Sequence, residues 1–176
     1  MSAGRKNNST TKHWNTPPKI VSAVKNFFGR IDLDPCSNKH SMVGAHVSFG
    51  PPHGLKEDWF GRVFCNPPYG RNPEDKTSLL NWVNKAAETF LRQRSISGLD
   101  NEVIMLIPVA TNTRHFYKIF ETAQSICFLK DSRLKFWMEG REDPKGAPMA
   151  CCLIYWGLKR DRFKEYFEEL GRVVFL

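Results

Sequence analysis

Apolar positions along this chain change period several times, and each change marks an element. Ile20, Val24, Phe27 and Phe28 recur at helical spacing. They predict a helix with Thr16 as its N-cap, Pro17 at its first position and Gly29 at its end. "RIDLDP" (30–35) reads as a short strand stopped by Pro35, and "HVSF" (46–49) as a weaker one before the turn-rich "GPPHG". "RVFC" (62–65) is a strand that runs into two prolines. Over residues 78–92, Leu79, Leu80, Val83, Ala86, Ala87 and Phe90 make one apolar stripe, the pattern of an amphipathic helix. "EVIMLIPV" (102–109) is a continuous apolar run, as expected of a parallel strand buried on both faces. A helix around 113–123, strands at "SICFL" (125–129), "RLKFWM" (133–138) and "MACCLIYW" (149–156), and an amphipathic helix near 160–170 complete the pattern.

Strands alternating with helices predict an α/β fold with a mostly parallel sheet. "RLKFWM" and "MACCLIYW" are joined by a loop without a helical crossover, so they are expected to form an antiparallel pair at one edge. Ligands of open α/β sheets bind beyond the carboxyl ends of the strands. Two stretches lie at such ends here, Asp34-Pro35-Cys36 and Asn66-Pro67-Pro68-Tyr69.

Length and charge narrow the reading. The 176 residues, 41% apolar and 25% charged, suit one domain with its own core, since domains run about 100–200 residues. Residues 1–12, "MSAGRKNNSTTK", read as a flexible basic tail before a domain over 13–176. No apolar run approaches the ~20 residues that span a bilayer, and no signal peptide opens the chain, so a cytoplasmic protein away from membranes is expected. The net charge of +8 suits a polyanionic partner. Five cysteines without a CxxC pair argue against a disulfide framework or zinc ribbon. Cys36, His40, His46 and His53 have no metal-site spacing, so no metal is expected.

"FCNPPYG" (64–70) is the most unusual stretch. Neither proline of Asn66-Pro67-Pro68-Tyr69 can donate a backbone hydrogen bond, and both have φ fixed near about −65°. The result is a stiff elbow at the end of a strand.

This stretch resembles the NPPY motif of S-adenosylmethionine-dependent amino-methyltransferases. "WNTPPKI" (14–20), "IDLDPCS" (31–37), "GLKEDW" (54–59), "VFCNPPYG" (63–70), "WVNKA" (82–86), "MLIPVATNTRHFY" (105–117) and "SRLKF" (132–136) follow one another in the order seen in phage-type DNA N-6-adenine methyltransferases. The resemblance implies a single-domain, Rossmann-like methyltransferase fold and methylation of the exocyclic amine of adenine in double-stranded DNA, with S-adenosyl-L-methionine as cofactor. A monomer is expected, with a dimer as the alternative. It makes Asn66, Pro67, Pro68 and Tyr69 the catalytic elbow. The adenine amine is a poor nucleophile because its lone pair is delocalised into the ring. The Asn66 side-chain oxygen and the Pro67 carbonyl can accept its two N–H groups, and the prolines fix those acceptors in advance. Tyr69 offers a face for the extruded base.

By the same resemblance, Asp34 meets the methionine moiety of the cofactor, Trp14, Thr16 and Pro17 meet its carboxylate end, and Pro35 and Cys36 complete the turn. Asp58 is the candidate for the ribose or adenine. The sequence departs from many methyltransferases in having no glycine between Asp34 and Gly44, where a glycine-rich turn is usual. Arg71, Arg114, Arg133 and Lys135 are the candidate DNA contacts. Without a separate recognition domain, specificity falls to short loops such as 71–78 or 138–149. Cytosine N4 methylation, a protein glutamine amide as target, cytosine-5 chemistry through Pro35-Cys36 and an inactive DNA-binding module are the alternatives.

Overall fold

The computed structural model describes residues 14–74, 76–95, 100–130, 133–138, 140–144 and 146–176. The tail expected at 1–12 lies outside them, as do positions 96–99 of the loop after the second helix.

The first helix, α1 (Pro18–Phe28), buries Ile20, Val21, Val24, Phe27 and Phe28, and Gly29 at φ 78° ends it. It starts later than the sequence suggests. A residue that precedes a proline is pushed out of the helical region, and Pro17, which precedes Pro18, sits at φ −57° and ψ 141° as the cap position with no side-chain cap. Thr16 is therefore not the N-cap, and its hydroxyl is available elsewhere.

Three short parallel strands follow: β1 (Leu33–Asp34), β2 (Val47–Ser48) and β3 (Arg62–Cys65). Helix α2 (Leu79–Ser95) leads to β4 (Glu102–Pro108), and helix α3 (Arg114–Thr122) to β5 (Ser125–Leu129). A two-stranded hairpin of β6 (Trp137–Met138) and β7 (Arg141–Glu142) stands apart from the main sheet. The chain closes with β8 (Cys151–Trp156), α4 (Arg160–Phe167) and β9 (Gly171–Phe175). The seven-stranded sheet has the order β2-β1-β3-β4-β8-β5-β9.

The half β2-β1-β3-β4 is parallel, and β8, β5 and β9 complete an antiparallel half. Every residue of β4 is buried. Its side chains alternate between layers, as strand geometry requires. Val103, Met105 and Ile107 join Trp82, Val83, Phe90, Phe116 and Ile119 under α2 and α3. Ile104 and Leu106 join Ile20, Val24, Phe27, Phe163 and Phe167 under α1 and α4.

The expected pairing of 133–138 with 149–156 is not what forms. β8 is inserted between β4 and β5, antiparallel to both. All six of its residues are buried, which suits an interior strand, since a long apolar edge would leave a row of unpaired backbone groups. Only Trp137–Met138 of the earlier segment is a strand, and it pairs with β7. The antiparallel edge is made instead by β9 on β5.

Candidate active site

Asp34 ends β1, and Pro35 stops the strand there. Its side chain is buried, 3% exposed. The Cys36 amide donates to Oδ1 at 3.1 Å and the Ser41 hydroxyl to Oδ2 at 3.2 Å. Burial pushes the carboxyl up to about 6, while the Cys36 amide and the Ser41 and Ser37 hydroxyls pull it partly back. Among the described residues no cation contributes to that balance. The turn is packed from outside by Gly54, where an added Cβ would lie 2.0 Å from the Pro35 carbonyl oxygen. The glycine missing from the turn itself is thus supplied by a segment about twenty residues further on, which no local pattern signals.

The elbow follows β3. Cys65 and Pro67 are buried, Asn66 and Tyr69 half-buried, and Pro68 exposed. The Tyr69 hydroxyl donates to Asn66 Oδ1 at 3.0 Å, and Asn66 Nδ2 donates to Thr16 Oγ1 at 3.2 Å. The Tyr69 ring meets Phe136 edge-on, centroids 6.0 Å apart at 66°. Burial pushes the Tyr69 hydroxyl well above its ordinary range, so it stays a neutral donor.

The two stretches are stitched together by the residues just before α1. Asn38 Nδ2 donates to Asn15 Oδ1 at 2.9 Å, tying the loop after Asp34 to Asn15. Asn15 and Trp137 exchange backbone hydrogen bonds of 2.8 and 3.0 Å, which ties the same point to the start of the hairpin. Trp14, at the rim, meets Phe136 edge-on at 6.1 Å. Asn15, Asn38, Ser41 and Phe136 were not among the sequence candidates. Asn15 lies inside "WNTPPKI", and that block was the one available pointer to it.

Parallel register puts Asp34 and Asn66 at the same edge of the sheet, since Leu33 pairs with Val63. Trp14, Thr16, Pro17, Pro35 and Cys36 gather there with them. Cys36 Sγ lies 3.6 Å from Cys65 Sγ, and burial raises its thiol well above the ordinary range. A thiol held neutral is a poor nucleophile, which disfavours the cysteine-attack reading. Asp58 is not brought to this cluster. Its side chain is 85% exposed and pairs with Arg92 on α2 at 2.9 Å, because the chain from 56 to 61 runs along α2 towards the start of β3.

Arg71, Arg114 and Arg133 are exposed. Arg71 follows the elbow, and Arg114 opens α3 beyond the end of β4. Arg133 and Lys135 point outward from a segment whose Leu134 and Phe136 are buried. Lys135 is paired with Glu142 of β7 at 2.9 Å. Among the described residues no three His, Cys, Asp or Glu side chains are grouped as metal ligands, and no helix is long and apolar enough to cross a membrane.

Two comparisons bear on this geometry. The sequence model of a family described as DNA N-6-adenine-methyltransferase (Dam) matches residues 4–166. A protein of Haemophilus phage HP1 (strain HP1c1), named DNA N-6-adenine-methyltransferase, is 31% identical over 126 residues. That match covers 70% of this chain and 65% of the relative, so the chain spans just under two thirds of the relative's length.

Proposed function

The chain belongs to the DNA N-6-adenine-methyltransferase (Dam) family, and we propose that it transfers a methyl group from S-adenosylmethionine to the exocyclic amine of adenine in double-stranded DNA. The observation that carries this reading is the shared edge of Asp34 and Asn66, linked through Asn15 and Thr16.

The residues at the end of β1 fit the amino-acid end of the cofactor. Asp34 is a buried carboxylate with hydrogen-bond donors on both oxygens and, among the described residues, no cationic partner. A buried charge without a counter-charge is costly, and an ammonium group would offset that cost. Trp14 and Pro17 are the candidates for the carboxylate of the same moiety, while the Thr16 hydroxyl is turned to Asn66. When bound, S-adenosylmethionine supplies an activated, electrophilic methyl group.

The chain's own task is to hold the amine in line with that methyl. Asn66 Oδ1 already accepts from Tyr69, and a carbonyl oxygen has a second lone pair for an amine N–H. The Pro67 carbonyl takes the other N–H. Tyr69 holds Asn66 Oδ1 before the base arrives, which spares reorganisation of that acceptor at the transition state. The base must leave the duplex to reach this edge, and Tyr69 stacks on it. Arg71, Arg114, Arg133 and Lys135 contact phosphates around the flipped nucleotide, helped by the net charge of +8.

The test is to incubate duplex DNA with tritium-labelled S-adenosylmethionine. Wild-type protein is expected to label the DNA, and Asn66→Ala to slow single turnover by ~100-fold or more with cofactor affinity nearly unchanged. An Asn66→Ala protein with the wild-type rate would remove Asn66 from the chemistry.

A further inference from the structure

We propose that Thr16 is a positioning residue which, together with Tyr69, fixes the direction in which the Asn66 carboxamide faces; the inference rests on the methyl-transfer reading above. A primary amide has two nearly isosteric orientations. One presents an oxygen to the substrate amine, and the other presents N–H groups to N–H groups. Only the first can hold the amine, so the elbow needs a device that selects it.

The device is a pair of unlike hydroxyls. Tyr69 Oη lies 3.0 Å from Asn66 Oδ1, and Thr16 Oγ1 lies 3.2 Å from Asn66 Nδ2. Either hydroxyl can donate or accept, but not equally well. A phenol is the stronger donor and the weaker acceptor, because its oxygen lone pair is delocalised into the ring. An aliphatic hydroxyl is the better acceptor. The arrangement with oxygen towards Tyr69 and nitrogen towards Thr16 matches each end of the amide to its better partner, and the flipped arrangement mismatches both.

Thr16 is 4% exposed, so water does not readily replace it. It reaches Asn66 because Pro17, not Thr16, occupies the cap position of α1. Its backbone is held by the neighbouring Asn15, through the paired hydrogen bonds to Trp137 and the bond from Asn38.

The experiment compares Thr16→Val, which is nearly isosteric but cannot accept, with Thr16→Ser, which can. Single-turnover methyl transfer is measured at saturating cofactor, cofactor affinity by calorimetry, and the side-chain amide protons of Asn66 by ¹⁵N–¹H NMR, assigned with Asn66→Asp. Thr16→Val is expected to lower the rate constant about 10-fold, as for a buried amide donor left unpaired. Its cofactor affinity should stay within about 2-fold, and its Asn66 side-chain amide exchange should be faster. Thr16→Ser should restore both rate and protection. A Thr16→Val protein that weakens cofactor binding but keeps the wild-type rate at saturation would make Thr16 a cofactor contact and overturn the proposal. Unchanged rate, or unchanged Asn66 exchange, would also overturn it. Should wild-type protein methylate no DNA, the methyl-transfer reading fails by itself, while the exchange measurement still decides whether Thr16 holds the Asn66 amide.

Discussion

Truncation of Tyr69 separates a stacking platform from a packing residue. The ring is half-buried against Phe136, and its hydroxyl bonds Asn66 at 3.0 Å. Tyr69→Phe removes only that bond, worth about 0.5–1.5 kcal/mol net, which predicts a rate about 2- to 13-fold lower. Tyr69→Ala also removes the stacking face, worth about 1–3 kcal/mol per base. The two losses together predict a rate about 10- to 2,000-fold lower. Truncating a fully buried aromatic costs about 3–5 kcal/mol of stability, and a half-buried ring roughly half of that. The assays are single-turnover methyl transfer, thermal unfolding, and fluorescence of 2-aminopurine placed at the mapped target adenine. Tyr69→Ala should melt only modestly lower, bind cofactor normally and fail to hold the bright, extruded base. A variant that loses about 3–5 kcal/mol of stability while its folded fraction still transfers methyl groups at the wild-type rate would refute the stacking role.

If Asp34 holds the cofactor's ammonium as proposed, it links cofactor affinity to pH. Its folded-state value of about 6 lies above the ordinary 3.8, so the carboxylate needed for an ammonium forms only above that pH. The dissociation constant for S-adenosylmethionine should rise about tenfold per pH unit below 6, and Asp34→Asn should weaken binding by at least ~10-fold at neutral pH, both read by calorimetry. Because folding raises this carboxyl, its ionisation opposes folding as pH rises from 3.8 through about 6. Asp34→Asn without cofactor should therefore be more stable than wild type at pH 7, by up to about 3 kcal/mol. Equal stability and pH-independent affinity would remove the buried-carboxylate account. Gly54→Ala forces a Cβ towards the Pro35 carbonyl. It should cost about 1–3 kcal/mol by chemical denaturation and weaken cofactor binding, whereas a neutral result would show that the β1 turn can yield.

Strand boundaries set by proline were the most legible. β3 matches "RVFC" because Pro67 and Pro68 forbid continuation of the ladder, and β1 stops at Asp34 because of Pro35. The tandem Pro17-Pro18 was read with the right rule one residue too early. The pre-proline restriction on Pro17 displaces the cap, and that displacement frees Thr16 to bond Asn66. The insertion of β8 between β4 and β5 was hidden, because partner choice depends on contacts far apart in sequence and not on the period of either strand. The same holds for the site. Asp34 and Asn66 stand out by their strand-end positions, while Asn38 and Gly54 meet partners distant in sequence and Ser41 turns back on Asp34 through the fold of the loop between them. Asp58 stands in for the acidic residue that is missing from the end of β2, but its ion pair with Arg92 takes it to the face of α2 instead.

The most direct test is the identity of the modified base. Plasmid DNA methylated by this protein with tritium-labelled S-adenosylmethionine is digested to nucleosides and separated by chromatography. Label that co-migrates with N6-methyladenosine in its deoxy form is the predicted result. Label in N4-methyldeoxycytidine, or none in DNA at all, would contradict it.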